Sequence, residues 1–134
     1  MQINAYLTFD GSCENAFNFY LQHLGGEVLA KHPFAGSPME QHCPPEWREK
    51  IMHMCIRVAG NTLMGSDGMG DCQNTAYSGF SLSINTSEPE QADRIFAALS
   101  ENGKITMPIA TTFWARRFGT LTDQFGVPWM VNCE

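Results

Sequence analysis

The sequence predicts an α+β fold of two βαβββ modules, which would form a half-open barrel with both helices on the outside. Three observations predict this fold. The order strand, helix, three strands occurs twice along the chain. Both helical segments carry apolar residues at i, i+3, i+4 and i+7, the spacing of one helix face. The second helical segment also follows the first at a distance of 76 positions, which indicates an internal duplication.

The first half begins with a strand and an amphipathic helix. The segment "NAYLTF" at 4–9 alternates polar and apolar residues, which is typical of a strand. Ser12 is expected to cap a helix over 13–24. Glycines at 25–26 end this helix because glycine tolerates a positive φ, and "EVLAKHPF" resumes an extended chain. The apolar stripe of the helix consists of Phe17, Tyr20, Leu21 and Leu24.

A long loop then precedes two further strands. Segment 35–50 contains three prolines and has no sustained period, so we expect a surface loop with at most one helical turn. The segments "IMHMCIRV" at 51–58 and "NTLMGSD" at 61–67 are predicted to be strands around a tight turn. A second loop is expected over 68–77.

The second half repeats this order. A strand is predicted at 78–86, followed by a helix whose start combines Ser87 and Glu90 as a capping box with Pro89 in the first turn. "ENG" ends the helix. Its apolar stripe consists of Ala92, Ile95, Phe96 and Leu99. The last three strands are predicted at 104–112, 115–122 and 127–133.

Size and charge restrict the class of protein. We expect 134 residues to form one domain, with halves at about 1–70 and 76–134. Fourteen acidic against eight basic residues give a net charge of -6, and the bases form no stripe. This argues against a nucleic-acid surface, which requires a basic footprint. It leaves room for a small anion, because one arginine can bind an anion in an acidic protein.

The sequence also predicts a cytoplasmic protein. The N-terminus has no basic flank and meets an acid at Asp10, so we expect no signal peptide. No apolar stretch is long enough for a membrane helix, so no membrane partner is expected. Five cysteines without a C-x-x-C pair indicate reduced thiols rather than a disulfide framework.

Four stretches carry a resemblance to a known superfamily. They are "YLTFDGSCENAFNFY" with "LGGEVL", then "NTLMGSD", "YSGFSLSI", and "FWARRFGTLTDQFGVPWMVN" at the end. With these stretches the chain resembles the vicinal oxygen chelate superfamily, which includes glyoxalase I, bleomycin-resistance proteins and extradiol dioxygenases. It looks most like the PhnB-like branch, also labelled 3-demethylubiquinone methyltransferase-like. The resemblance implies the paired βαβββ fold.

The resemblance also implies four positions for metal ligands. The two first-strand positions of the halves match Ala5 and Phe80 in this sequence. The two sheet-end acids fall on Met64 or Gly65 and on Trp129 or Met130. These residues cannot replace an imidazole or a carboxylate at a hard divalent ion, so neither a metal nor another cofactor is expected. No glycine-rich strand-to-helix turn is present to hold a nucleotide-like cofactor for methyl transfer.

The stretch around Trp114 is predicted to line a ligand-binding cleft. Trp114, Arg116 and Phe118 alternate along one predicted strand and so would share a face. Arg116 would then bind a carboxylate or phosphate while Trp114 stacks on a flat molecule. The alternative interpretation places Trp114 in the core and the arginines at a solvated edge. The ligand-binding residues that we predict are Met64, Ser66, Asp67, Phe80, Trp114, Arg116 and Met130.

Asp67 and His53 have two interpretations each. Asp67 ends a predicted strand beside Ser66, where it would serve as a general base or ion ligand, or would form turn hydrogen bonds. His53 would replace a lost metal ligand, or lie on a strand with an ordinary hydrogen bond.

Two functional hypotheses follow. One is a homodimeric protein that binds a small organic molecule in an apolar, aromatic-lined cleft without a metal. The other is a metal-dependent lyase, isomerase or dioxygenase with relocated ligands from His53, Asp67 or Glu134. The homodimer is expected in either case, because exposed strand edges need to be covered.

Overall fold

Each half of the chain forms a four-stranded β-sheet with one α-helix in the described residues of the computed structural model. The structure describes residues 1–68 and 77–134. The two halves are compact units that span Met1–Thr75 and Ala76–Glu134.

The first unit has one helix packed on a mixed sheet. Across the sheet the strand order is β1-β4-β3-β2, with β1 parallel to β4 and the other neighbours antiparallel. Between β2 and β3, the predicted loop at 35–50 contains two short 3₁₀ turns, at Glu40–His42 and Pro45–Trp47. The elements of this unit are β1 (Tyr6–Thr8), α1 (Cys13–Leu24), β2 (Gly26–Pro33), β3 (Ile51–Val58) and β4 (Asn61–Ser66).

The second unit repeats this topology. Its strand order is β5-β8-β7-β6, again with the first and last strands of the unit parallel and the other neighbours antiparallel. The βαβββ order in both units confirms the predicted α+β fold class. The elements of this unit are β5 (Leu82–Thr86), α2 (Pro89–Ser100), β6 (Lys104–Ala110), β7 (Arg117–Thr122) and β8 (Pro128–Cys133).

Several strands are shorter than predicted, among them β1, which was predicted at 4–9 and spans only Tyr6–Thr8. β5 begins at Leu82, four residues later than predicted, and β6 ends two residues early at Ala110. β7 begins at Arg117 because the backbone before it is folded into a turn, in which the Thr112 N–H donates to the Ala115 carbonyl at 2.9 Å. The loop predicted at 68–77 lies almost entirely outside the described residues.

Glycines bring each helix close to its sheet. A Cβ at Gly65 of β4 would lie 2.8 Å from the Phe17 ring of α1, and a Cβ at Gly119 of β7 would lie 2.7 Å from the Phe96 ring of α2. The buried stripe of α2 is the one predicted from its spacing. The buried residues of α1 lie nearer the N-terminus of the helix than the predicted stripe. They are Cys13, Ala16, Phe17 and Tyr20.

The predicted capping box of α2 is wrong. Glu88, not Ser87, is the N-cap residue, and it forms no side-chain cap hydrogen bond. Its own N–H donates to the Thr86 hydroxyl oxygen at 3.2 Å. Pro89 occupies the first helical position, as predicted, where its missing N–H has no cost. The helix therefore begins one residue later than the serine-based motif requires.

Candidate functional site

Each sheet has a face that points away from the helix of its own unit, which we call the distal face. In the first sheet, Leu7 is buried and Gly65 contacts α1, so both lie on the helix side. Side chains alternate along a strand. Tyr6, Met64 and Ser66 therefore lie on the distal face, where Tyr6 is the register partner of Met64. The resemblance matches one metal-ligand position of the superfamily to Met64 or Gly65. Of these two residues, only Met64 lies on the distal face.

Asp67 does not join this group, because its carboxylate lies on the helix side of the sheet. The residue is 1% exposed. Its Oδ1 accepts the N–H of Cys13 at 2.8 Å, and its Oδ2 accepts the N–H of Ile51 at 2.8 Å. Asp67 thus caps α1, the role predicted for the Ser12 side chain, which forms no cap hydrogen bond. Both oxygens serve the fold, so the geometry supports the structural interpretation of Asp67 and not its role in a ligand site.

The buried thiol beside Asp67 is held in its neutral form. Cys13 is fully buried at the start of α1. Burial raises the pKa of the Cys13 thiol well above its usual range, and the nearby carboxylates of Asp67 and Glu14 raise it further. A protonated thiol is a poor nucleophile. Cys13 is therefore a packing residue.

Three aromatic and imidazole rings form a row on the distal face of the first sheet. The Tyr6 hydroxyl lies 3.1 Å from Nδ1 of His53, and the two rings are nearly parallel with centroids 5.7 Å apart. On the other side of His53 is the ring of His32, its register partner on β2, with centroids 6.4 Å apart and an angle of 18°. The sequence predicted only His53 as a candidate. Because β2 and β3 are separated by a long loop, their register could not be read from the sequence.

The second sheet has an uncharged distal face along β7 and β8. Trp129, Val131 and Cys133 are buried on the helix side, so Met130 and Asn132 lie on the distal face. Their register partners on β7 are Thr120 and Phe118. The resemblance matches the other sheet-end acid of the superfamily to Trp129 or Met130. Of these two residues, only Met130 lies on the distal face.

Trp129 and Asp123 form a structural pair at one end of this sheet. The indole N–H of Trp129 donates to Oδ2 of Asp123 at 2.9 Å. Oδ1 of Asp123 accepts the N–H groups of Phe125 and Val127 at 2.8 and 3.0 Å. These bonds give Asp123 a structural role in the turn between β7 and β8.

Three aromatic side chains cluster beside this distal face. Trp114 contacts Phe118 edge to face, with centroids 5.3 Å apart, and Phe113 packs against Trp114 at 4.7 Å. The prediction that Trp114, Arg116 and Phe118 share one strand is wrong, since only Phe118 lies in β7. The turn before β7 still brings the indole of Trp114 onto Phe118. Trp114 is 50% exposed and so retains surface for a contact.

Arg116 and Arg117 are both engaged by the protein. Nε of Arg116 donates to the backbone carbonyl of Glu134 at 2.7 Å, and Nη2 donates to that of Ser87 at 2.6 Å. These bonds link the turn before β7 to the ends of β8 and β5. They engage two of the three guanidinium nitrogens, so the geometry supports a structural role for Arg116 over that of an anion clamp. Arg117 forms an ion pair with Asp93 of α2 at 2.7 Å.

Phe80 lies apart from the strands of its sheet. It precedes β5 by two residues, is 43% exposed, and contacts the Tyr77 ring edge to face with centroids 5.9 Å apart. The structure therefore gives Phe80 an exposed aromatic surface, in a connection and not on a strand face.

The residues present do not fit the superfamily's metal site. Among residues 1–68 and 77–134, no group of three His, Cys, Asp or Glu side chains is placed to hold a metal ion. Thioethers of Met64 and Met130 lie on the distal faces where the resemblance implies carboxylates. The relocated set is not assembled in the first unit either, because His53 lies on the distal face of the sheet and Asp67 on the helix side.

Comparison with known proteins places the chain in a family. Residues 1–132 match the family model described as 3-demethylubiquinone-9 3-methyltransferase. The chain belongs to that family. A curated relative, protein YjdN of Escherichia coli K12, is 39% identical over 140 residues, which cover 98% of this chain and 95% of the relative.

Solved structures agree with this assignment. Protein PA1353 of Pseudomonas aeruginosa has a TM-score of 0.90 and 46% identity, covering 100% of this chain and 98% of that one. The PhnB protein of Bacillus cereus has a TM-score of 0.86 and 24% identity, with both chains fully covered. The fosfomycin resistance protein FosX of Listeria monocytogenes shares the fold at 9% identity, with a TM-score of 0.62 and coverage of 99% and 90%. The resemblance to the 3-demethylubiquinone methyltransferase-like family is confirmed by the family model, and the solved structures confirm the fold that it implies.

In the part of the chain that the structure describes, neither α-helix has the length and apolar composition needed to cross a bilayer.

Proposed function

We propose that this family member binds a small, flat organic molecule on the distal face of the second sheet, without a metal ion. The observation that carries the proposal is Oδ1 of Asn132, a buried oxygen for which no hydrogen-bond donor is found among the described residues. A buried acceptor without a donor costs about 1–3 kcal/mol. A ligand with an N–H or O–H group would remove this cost, so Asn132 supports a ligand of that chemistry.

The aromatic cluster supports a flat ligand. Phe118, the register partner of Asn132, carries the half-exposed Trp114 on its edge. The turn that holds Trp114 is ordered by Thr112, whose hydroxyl oxygen accepts the N–H of Ala115 at 3.1 Å. An indole that is fixed before binding loses little conformational entropy when a ring stacks on it. Met130 on the neighbouring strand would supply an adaptable apolar contact.

Met64 and Ser66 of the first unit are further ligand-contacting residues in our proposal, because both lie on the distal face of their own sheet. Phe80 of the second unit is another, because it offers an exposed aromatic surface. Asp67 and Arg116 are left out, because backbone groups bind both carboxylate oxygens of Asp67 and two of the three guanidinium nitrogens of Arg116. No observation favours the alternative metal-dependent lyase, isomerase or dioxygenase, since His53 and Asp67 lie on opposite faces of one sheet.

Two matched probes test the proposal. Indole carries an N–H donor, and 1-methylindole has the same ring without it. Each is titrated into ¹⁵N-labelled protein, and shifts of the amide and asparagine side-chain resonances are followed. We expect both probes to shift residues around Trp114 and Phe118. Indole should bind about twofold to tenfold more tightly, the value of one net hydrogen bond.

Two substitutions locate the binding site. Asn132→Ala should remove the preference for indole over 1-methylindole, and Trp114→Ala should weaken both probes. Trp47→Phe serves as the control, because that indole is in the first unit and donates its N–H to Gly68. Shifts that leave residues 113–132 unaffected, or a preference for indole that survives Asn132→Ala, would show that the proposed site is wrong.

A further inference from the structure

A second site is suggested by the ring row of Tyr6, His53 and His32 on the first sheet. His53 is hydrogen-bonded to Tyr6 through Nδ1, and its Nε2 has no partner among the residues that the structure describes. His32 is exposed, and its ring forms no hydrogen bond within the described residues. Two imidazoles on facing positions of neighbouring strands are unusual in a structural role, because they repel each other when both are charged.

The neighbours of this row are hydrogen-bond donors and sulfur groups, not acids. Ser66 on β4 is the register partner of Thr8 on β1. The residue before it, Gly65, pairs with Met54 on β3, and Met54 directly follows His53. That register places the Ser66 hydroxyl beside His53. The other distal-face neighbours are the side chains of Cys55 on β3 and Met64 on β4.

Two charged residues of β2, the strand that carries His32, are paired with opposite charges. Glu27 of β2 is paired with Arg57 of β3 at 2.6 Å, at the far end of these two strands. Lys31 is paired with Glu14 of α1 at 2.7 Å. Within the described first unit, no ion pair joins a carboxylate to His32 or His53.

We propose that Tyr6, His53 and His32 form a binding site for the oxyanion group of a small molecule, either a planar carboxylate or a tetrahedral anion. Imidazole N–H groups and hydroxyls are the donors that such groups accept, and protonation of the imidazoles adds charge. The site lies in the first unit and does not depend on the aromatic site proposed above.

The hydrogen bond between Tyr6 and His53 gives the site a dependence on pH. When His53 is neutral, the Tyr6 hydroxyl can donate to Nδ1. When His53 is charged, Nδ1–H becomes the donor, and the Tyr6 hydroxyl proton is free to point to the anion. Protonation therefore supplies a second donor from Tyr6 as well as a positive charge.

The experiment uses sulfate and benzoate as separate probes, both ionised over the range tested. Binding of each to the full chain is measured by calorimetry at pH 7.5 and 5.5 and constant ionic strength. Lower pH favours the charged form of an imidazole, which adds a positive charge to the site. We expect the affinity for the probe that binds to be at least severalfold higher at pH 5.5 than at pH 7.5. Binding of sulfate alone identifies a tetrahedral group, and binding of benzoate alone a carboxylate.

Side-chain variants separate this site from general charge effects. His53→Gln and His32→Gln should each lower the affinity at pH 5.5 at least fivefold, and Tyr6→Phe should reduce the pH response. The matched control is His23→Gln, an imidazole on α1 that packs against Phe19. In wild-type protein, saturating probe should shift the ring resonances of His32 and His53 but not those of His23 and His42.

Two results would overturn the proposal. One is equal affinity at both pH values for both probes, or no binding of either. The other is unchanged affinity in His53→Gln, with circular dichroism showing that the variant is folded. Neither result bears on indole binding in the second unit, so the two proposals fail independently.

Discussion

Asp67 accepts the backbone N–H of Cys13 at 2.8 Å, and this bond joins the end of β4 to the start of α1. The other carboxylate oxygen of Asp67 receives the N–H of Ile51, the first residue of β3. One buried side chain therefore connects three elements that are far apart in sequence. It occupies the position where the sequence predicts a ligand-binding acid.

Removal of this carboxylate should destabilise the first unit. Asp67→Ala leaves two buried N–H groups without an acceptor, and bonds to a charged group contribute about 1.5–3 kcal/mol each. We expect the free energy of unfolding to fall by about 3 kcal/mol, with a smaller loss in Asp67→Asn, which keeps one acceptor. Urea unfolding followed by circular dichroism measures the change. Asp10→Asn, at an exposed position, is the control. A stable Asp67→Ala protein that has lost indole or anion binding would instead support the ligand role.

The raised pKa of the Cys13 thiol predicts a loss of stability at alkaline pH. Below the ordinary thiol pKa of about 8.5, the thiol is neutral in both the folded and the unfolded chain. Above that value the unfolded chain loses the proton while the folded chain keeps it, so stability falls as pH rises. The slope from this group approaches about 1.4 kcal/mol per pH unit.

The measurement compares unfolding of wild type and Cys13→Ala between pH 7 and 10. Cys13→Ala should be less stable at pH 7 because it leaves a cavity, but it should lose less stability on going to pH 10. Other titrating groups affect both proteins alike and cancel in the difference. Parallel curves for the two proteins would contradict the prediction. Alkylation of Cys13 in the folded protein as fast as that of the partly exposed Cys43 would contradict it as well.

The sequence predicted the strands, the helices and the fold class because each depends on local periodicity. The stripe of α2 and the alternation of β3 and β4 follow from residues a few positions apart. The roles of Asp67 and Arg116 could not be predicted, because their partners lie 54 and 29 residues away. The pairing of His32 with His53 was missed for the same reason, since register between strands on either side of a long loop is set by tertiary structure.

Arg116 should behave as a structural residue and not as an anion clamp. Its Nε and Nη2 donate to two backbone carbonyls in different connections. Lysine cannot reproduce this fork geometry. We therefore expect Arg116→Lys to lower the free energy of unfolding by about 1 kcal/mol while sulfate, benzoate and indole bind as before. Arg94→Lys, at an exposed arginine of α2, is the control. Loss of anion binding in Arg116→Lys without a change in stability would show that Arg116 contacts the ligand and would contradict the prediction.

The exposed edge strands support the predicted homodimer. β2 and β6 each form one edge of their sheet, and each carries half-exposed apolar side chains, among them Val28 and Leu29 on β2 and Ile105 and Met107 on β6. Unpaired edges of this kind favour association with another chain. Light scattering after size exclusion should give a mass of about twice the 14.9 kDa of one chain.

Lysine at a buried contact opposes association, so Val28→Lys or Met107→Lys should shift the protein towards the monomer. Ile3→Lys, at a fully exposed position outside the strands, should not. A monomeric mass for the wild type at a protein concentration of about 100 μM would contradict the prediction, because a dimer of even micromolar affinity is mostly assembled there.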